Sequence, residues 1–309
     1  MSKNTNEIQS NGLVWINIAQ QEEKTLRALQ KRFGLHEQEI LESLPPFQRP
    51  KFVKREGYYF MVLHFPVFDR KTRRLGFTEV DFFLNGQTLI TAHDGSLPVI
   101  EDFFNEVKKN QNTQNKFFQG TAAHLFFEIT ERLLNSIFSI LLHINEDISA
   151  VDKVLFTKIP DRKMAEEILR LKTNVVTFRR AMQGHKNVLE HLVSRGGREL
   201  DLSAFQNYIN ILREHTNEIW HTLESQKESV DALHETNESV VGLRMNEIMR
   251  TLTIISVITF PLTLVATLFS IGASGTPFVS SSFGFLKIAG VIVAGAALMF
   301  LLFKRKRWM

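Results

Sequence analysis

From Leu252 to Ile271 the chain reads LTIISVITFPLTLVATLFSI. This uncharged run of about 20 residues is long enough, as a helix, to cross a hydrocarbon layer of roughly 30 Å. A linker, GASGTPFVSSSFG, separates it from a second apolar run, Phe285 to Phe303. That run stops abruptly at Lys304, Arg305, Lys306, Arg307, Trp308 and Met309. Two spans joined by a short loop form a hairpin, so both of its ends lie on one side of the bilayer. Arg244 and Arg250 precede the first span, the Lys304 to Arg307 cluster follows the second, and the linker carries neither acid nor base. The positive-inside rule then places both termini in the cytoplasm. The chain reads as a multi-pass protein of the cell (inner) membrane, with its first membrane helix at 252–271, an external loop at 272–284, a second membrane helix at 285–303 and a basic cytoplasmic tail at 304–309.

The first span is patterned. Met249, Leu252, Ser256, Phe260, Thr263, Thr267 and Ser270, advanced about 100° per residue, fall within roughly one quarter of the helix circumference. Four of the seven carry hydroxyls. Such groups in membrane helices often bond back to their own backbone or to a neighbouring helix, which a plain anchor accommodates. The same stripe suits a narrow water-bearing path lined by several copies of one helix. One stripe cannot enclose a path, so this second reading requires an oligomer, most simply a ring.

Upstream of the hairpin the chain is soluble in character, and its 309 residues, 44% hydrophobic, can bury a sizeable core there. The absence of cysteine excludes disulfides and thiolate metal sites. Residues 1–12 are polar, lack an apolar signal core and read as a disordered tail, which leaves the first span as the insertion signal. The net charge of +4 is concentrated beside the membrane, where it meets anionic headgroups, and no basic stripe with interleaved aromatics suggests nucleic-acid binding.

Residues 13–110 read as an α/β cytoplasmic domain. Leu13 to Ile18 is a strand, and Glu22 to Leu44 is helical, broken at Gly34 and stopped by Pro45 and Pro46. YYFMVLHFPVF, EVDFFLNG and TLITAHDG follow as strands, with Asn85-Gly86 as a hairpin turn. Leu97 to Asn110 is a helix with Phe103, Phe104 and Val107 on one side. Residues 111–200 are a cytoplasmic helical region, with helices expected at Thr121–Phe156 and Asp161–Arg195, the latter closed by Gly196-Gly197. A long stalk helix at 201–251, capped by Asp201, is expected to continue unbroken through the first span to Ile271, on the order of 100 Å in all.

Two faces run along that stalk. Ile209, Leu212, Thr216, Ile219, Leu223, Gln226, Val230, Leu233, Asn237 and Val240 alternate three and four apart, as in a coiled-coil seam. On the opposite face lie His221, Glu224, Glu228, Asp231, Glu235 and Glu238. This series suits a solvated face, or, in a parallel bundle, an acidic vestibule that concentrates cations.

Asn246, Met249, Leu252-Thr253, Phe260-Pro261-Leu262-Thr263 and Lys304-Arg305-Lys306-Arg307-Trp308, with the upstream segments RPKF, VLHFP, EVDFFL and LITAHDG, resemble the CorA family of divalent metal ion channels. The resemblance spans nearly the whole chain. It implies a funnel-shaped homopentamer: an α+β cytoplasmic domain, long helices and a C-terminal two-helix transmembrane hairpin, with the first membrane helix lining the pore. It implies a polar ring at Asn246, hydrophobic constrictions at Met249, Leu252 and Phe260, and a polar pore ring at Thr263. The chain departs from the family where its Gly-Met-Asn signature falls on Ser270, Ile271 and Gly272, and residues 272–284 contain no acid. Mg²⁺ dehydrates reluctantly and is recognised through its water shell by strong dipoles, so the outer-mouth filter is expected to be altered or weakly selective. The family's inter-subunit regulatory carboxylate falls near Ile211, which cannot ligate a metal.

No histidine pair has the spacing of a metalloenzyme motif, and neither a phosphate loop nor a nucleophile triad is present, so no enzyme and no cofactor are expected. Two functions remain: transport of Mg²⁺, Co²⁺, Ni²⁺ or Zn²⁺ through a homopentamer in the lipid bilayer, or a non-conducting membrane-bound oligomeric scaffold or sensor of the same fold.

Overall fold

In the computed structural model, the described residues are 5–155, 161–196, 200, 202–271, 276–278 and 283–306. The chain divides into two compact units, Met1–His234 and Glu235–Met309.

The first unit is built on a six-stranded sheet of β1 (Thr5–Ser10), β2 (Leu13–Ala19), β3 (Lys51–Arg55), β4 (Tyr58–Asp69), β5 (Arg74–Leu84) and β6 (Thr88–His93), in the order β1-β2-β6-β5-β4-β3. Only the β2–β6 pair is parallel. Side chains alternate between the faces. Ile16, Ile18, Phe60, Val62, Phe83 and Ile90 pack under α1 (Glu23–Phe33) and α2 (Glu37–Glu42). On the other face, Trp15, Met61, Leu63, Phe82 and Leu84 join a larger core. That core takes in α3 (Pro98–Lys109), α4 (Gln111–Phe117), α5 (Ala122–Leu155), α6 (Arg162–Met182) and α7 (His185–Arg195). The result is a sheet between two helical layers.

Two sequence expectations are corrected. Residues 5–10, expected within a disordered tail, form edge strand β1. Asn11 (φ 50°) and Gly12 (φ 80°) both take the left-handed conformation that a two-residue hairpin requires. Glu7 then clasps Arg32 of α1 through two 2.7 Å hydrogen bonds, and the guanidinium holds its carboxyl below the usual range. Asn85-Gly86 does lie in the hairpin turn between β5 and β6, closed by Asn85 N donating to Thr88 O, and Asn85 Oδ1 accepts from the amides of Gln87 and Thr88. The expected helix 161–195 is two helices, interrupted at Gly184, where any Cβ would lie 2.2 Å from Pro50. Asp161 caps α6 by accepting from Met164 N. The caps expected from Asp201 and the closing Gly197 lie outside the described residues.

After a short 3₁₀ turn at Leu202–Phe205, α8 runs from Gln206 to Ser270 without interruption, through Pro261. Its seam is buried inside its own chain. Ile209, Leu212, Ile219, Leu223, Val230 and Leu233 share one core with Leu134, Leu141 and Ile148 of α5 and with Leu171 and Phe178 of α6. Tyr208 meets His124 and Gln226 donates to the Leu141 carbonyl at 2.8 Å, so α5 and α8 run in the same direction. The polar interruptions are explained in part: Thr216 donates to Leu212 O, and Gln226 reaches across to α5.

Truncating this seam leaves a cavity, and Leu223→Ala is expected to lower stability by about 2–5 kcal/mol in denaturant titrations. Acid should act on the sheet. Burial pushes both His93 and His185 down to about 4. The unfolded chain protonates both near about 6.5, so their contribution to stability is present above that value. It is lost as pH falls from there toward about 4. Melting temperatures across this window test the point, and His185→Gln should flatten the loss.

Candidate functional site

Among the described residues, two helices are apolar and long enough to cross a membrane: the C-terminal part of α8, and α9 (Gly284–Arg305). On α8 the less exposed positions are Ser256 and a series repeating mostly three and four apart, Ile254, Ile258, Pro261, Leu262, Val265 and Phe269. On α9 they are Ile288, Ala289, Ile292, Gly295, Ala296 and Met299. The two sets meet: a Cβ at Gly295 would stand 3.2 Å from Leu262 Cδ2. Small residues on α9 let the helices approach, as membrane pairs require when water supplies no driving force between them.

The hydroxyl stripe lies elsewhere. At about 100° per residue, Met249, Leu252, Ser256, Phe260, Thr263, Thr267 and Ser270 centre nearly opposite the face that α9 covers. Phe260 is 73% exposed; Met249, Leu252, Thr263, Thr267 and Ser270 are also exposed, and Ser256 is half-buried. Asn246 is exposed one turn before Met249–Leu252. One chain therefore leaves the stripe exposed apart from half-buried Ser256.

The two threonine hydroxyls of the stripe bond back to their own helix. Thr263 donates to Thr259 O at 2.9 Å, and Thr267 donates to Thr263 O at 2.6 Å. This does not leave them inert. A hydroxyl whose proton is committed to the backbone offers only oxygen lone pairs outward. Such an oxygen accepts from the waters of a hydrated cation and repels an anion.

At the outer end, Ser270 closes α8 and Ile271 is an exposed turn residue; Gly272 lies outside the described residues, as do 273–275 and 279–282 of the loop. One charge escaped the reading of the second apolar run. Lys287 is the sole ionisable residue between Arg250 and Lys304, and it sits in the first turn of α9. A cation there opposes the helix dipole. Its Nζ stands 5.9 Å from the centre of the Phe278 ring, within cation–π range.

Part of the acidic series is paired with cations. Glu224 pairs with Arg179 at 2.9 Å, and Asp231 with Lys172 at 2.9 Å and Lys227 at 3.6 Å, which holds the Asp231 carboxyl below its usual range. Glu228, Glu235 and Glu238 are exposed. Among the described residues no group of three or more His, Asp or Glu side chains could hold a metal ion.

These contacts predict the behaviour of the stripe. An exposed phenyl ring on a polar face obstructs passage of hydrated ions if copies of that face converge. Phe260→Ala should then raise ion leak in reconstituted vesicles several-fold, and unchanged leak in a folded variant would make Phe260 a packing residue.

The likeness to known proteins is extensive. The family described as CorA-like Mg2+ transporter protein matches residues 10–305. The Cobalt/magnesium transport protein CorA of Thermotoga maritima is 25% identical over 296 residues, covering 96% of this chain and 83% of the relative. Its namesake from Methanocaldococcus jannaschii is 19% identical over 296 residues, covering 96% and 91%. The complete structure of the CorA magnesium transporter from M. jannaschii superposes with a TM-score of 0.84 at 19% identity, over 98% of this chain and 94% of that one. The α/β N-terminal domain, the long helix and the C-terminal helix pair are thus the fold of a full-length CorA. With the match running from one end of the sheet domain to the end of α9, the chain belongs to the CorA-like Mg2+ transporter family.

Proposed function

We propose that this chain moves divalent metal cations across the membrane as a homo-oligomer of five parallel copies, with the uncovered face of α8 lining the path. The observation that carries the reading is the stripe itself: hydroxyls opposite the α9-covered face, with the Thr263 and Thr267 protons committed to the backbone, on the helix that the family resemblance makes pore-lining. The curated relatives are named as cobalt and magnesium transporters, which supports the cargo class. In this arrangement Asn246 forms the inner polar ring, Met249, Leu252 and Phe260 the apolar constrictions, and Ser256, Thr263, Thr267 and Ser270 the hydrated stretches. Exposed Glu228, Glu235 and Glu238, together with Glu224 and Asp231, which cations of α6 and α8 engage, make up the acidic vestibule. Both termini face the cytoplasm, with Arg244, Arg250 and Lys304 to Arg307 on that side.

Selectivity is set weakly at the outer end. Ser270 offers a hydroxyl and Ile271 only its backbone, with no carboxylate between them and α9. Nothing there compensates an ion for lost water, so Mg²⁺, Co²⁺, Ni²⁺ and Zn²⁺ pass, or fail to pass, with their shells intact.

A second reading, a non-conducting scaffold or sensor, has one observation in its favour. The sole charge at the outer end is Lys287, whose repetition around a ring repels arriving cations.

Competitive flux into liposomes containing the purified protein decides between the two. Conduction with less than about tenfold discrimination among the four ions, and little block by cobalt hexaammine, is the expected result. Strong, selective Mg²⁺ uptake blocked by that mimic would show that the outer end rebuilds a filter; no flux of any ion would favour the scaffold. Lys287→Gln should raise flux most at low external ion concentration and low salt, where surface charge is least screened. Native mass spectrometry in mild detergent should give five chains, and a monomer or dimer would overturn the arrangement.

A further inference from the structure

On the α1–α2 side of the sheet lie two acids that the transport reading does not use. Glu79 and Asp81 are two residues apart on β5, so they project from the same face. Glu79 is 3% exposed and Asp81 is fully buried. The connection between α2 and β3 covers them: Gln48 N donates to Glu79, and Ser43 stands beside Asp81. From the loop after β2, the Gln21 amide donates to Asp81 Oδ2 at 3.1 Å. Two buried polar atoms here remain without partners, Asp81 Oδ1 and Ser43 Oγ.

The charges around the pair do not balance it. From β4, His64 Nε2 lies 3.7 Å from Glu79, but that nitrogen is also 2.7 Å from the Gln48 carbonyl, which it serves as a donor. From β3, Lys51 is paired with Glu42 of α2. His93 of β6 pairs with Val80 and so projects from the opposite face of the sheet, and Asp94 beyond it is held by Ser96. The other buried acid of this layer differs: Glu39 meets the Arg55 guanidinium at 2.6 Å. No guanidinium or ammonium meets Asp81 directly among the described residues.

We propose that Glu79 and Asp81 form a proton-binding site, holding one proton between them at neutral pH, with Asp81 as donor to Glu79. Two carboxylates in one dry site cannot both ionise cheaply, and a shared proton turns repulsion into a hydrogen bond. Burial first, and then the neighbouring Glu79 charge, raise the Asp81 carboxyl well above the usual range. Losing the proton puts a second negative charge under the α2–β3 connection, so the site couples that connection's hold on the sheet to pH.

The sign follows from linkage. The unfolded chain holds no proton on either acid at neutral pH, whereas the folded chain holds one. The pair's contribution to stability is therefore fully present in acid and falls as pH rises toward the pair's own pKa, its share of the unfolding constant increasing about tenfold per pH unit. His93 and His185, held down at about 4, stay neutral between pH 7 and 9, and the difference between the parent and Asp81→Asn isolates the pair's part of the alkaline change.

The test uses the full-length protein in detergent. Melting is followed from pH 7 to 9 in parent, Asp81→Asn and Glu79→Gln. The asparagine amide imitates the protonated acid, so Asp81→Asn should remove the alkaline loss and exceed the parent in stability at pH 9. Infrared spectra of the parent at neutral pH should show the carbonyl stretch of a buried protonated carboxylic acid, absent from Asp81→Asn. Hydrogen exchange at 40–48 should quicken with alkaline pH in the parent beyond the intrinsic rate increase. A parent with flat stability over this range, or one lacking the infrared band, overturns the proposal. Should Asp81→Asn not fold, Glu79→Gln and the infrared band decide it.

Discussion

The contact on which the rest depends is the burial of one apolar seam of α8 against α5 and α6 of its own chain. A helix of 65 residues has too little intrinsic stability to hold a direction by itself, and most helical stability in proteins comes from packing one face. Here that face is satisfied within the protomer from Ile209 to Leu233. The outward faces of this part of α8 are then polar, and Arg179 and Lys172 of α6 reach across to its carboxylates. A heptad-like pattern on a long helix invites an intermolecular reading, and in this chain the partner is internal.

Much of the fold was legible because its signals are local. Apolar length identified both membrane helices, aromatic and β-branched density between turn signals located β4, β5 and β6, and glycine and proline marked most boundaries. What was missed lacked a local signal or carried one that was overlooked. Asn11-Gly12 is a hairpin dipeptide, but the strand before it contains only Ile8 as a large apolar residue. The break at Gly184 depends on Pro50, more than 100 residues away, and no window around Gly184 reveals it. The ownership of the α8 seam is likewise tertiary information.

The site divides along the same line. Helical periodicity suffices to put seven residues on one stripe, and the structure adds that α9 leaves this stripe open. Periodicity could not say which way the threonine protons point. That detail matters, because a hydroxyl that donates to its own backbone presents a different charge from one that is free to turn. The buried acids show the reverse case. EVDFFL announces a strand, but the placement of Glu79 and Asp81 under a loop 30 residues upstream, without a matching guanidinium, is visible only in three dimensions.

Lys287 has a consequence for how the protein is made. In the proposed orientation six cations, Arg244, Arg250 and Lys304 to Arg307, flank the hairpin on one side, and a single lysine stands on the other. Basic residues near membrane segments are retained on the side of synthesis, so the imbalance selects one direction of insertion. Copies of the chain then arrive in the membrane already aligned. A parallel bundle does not have to discriminate against inverted partners through its own contacts, which leaves the residues of the α8 stripe free to be chosen for what passes between them.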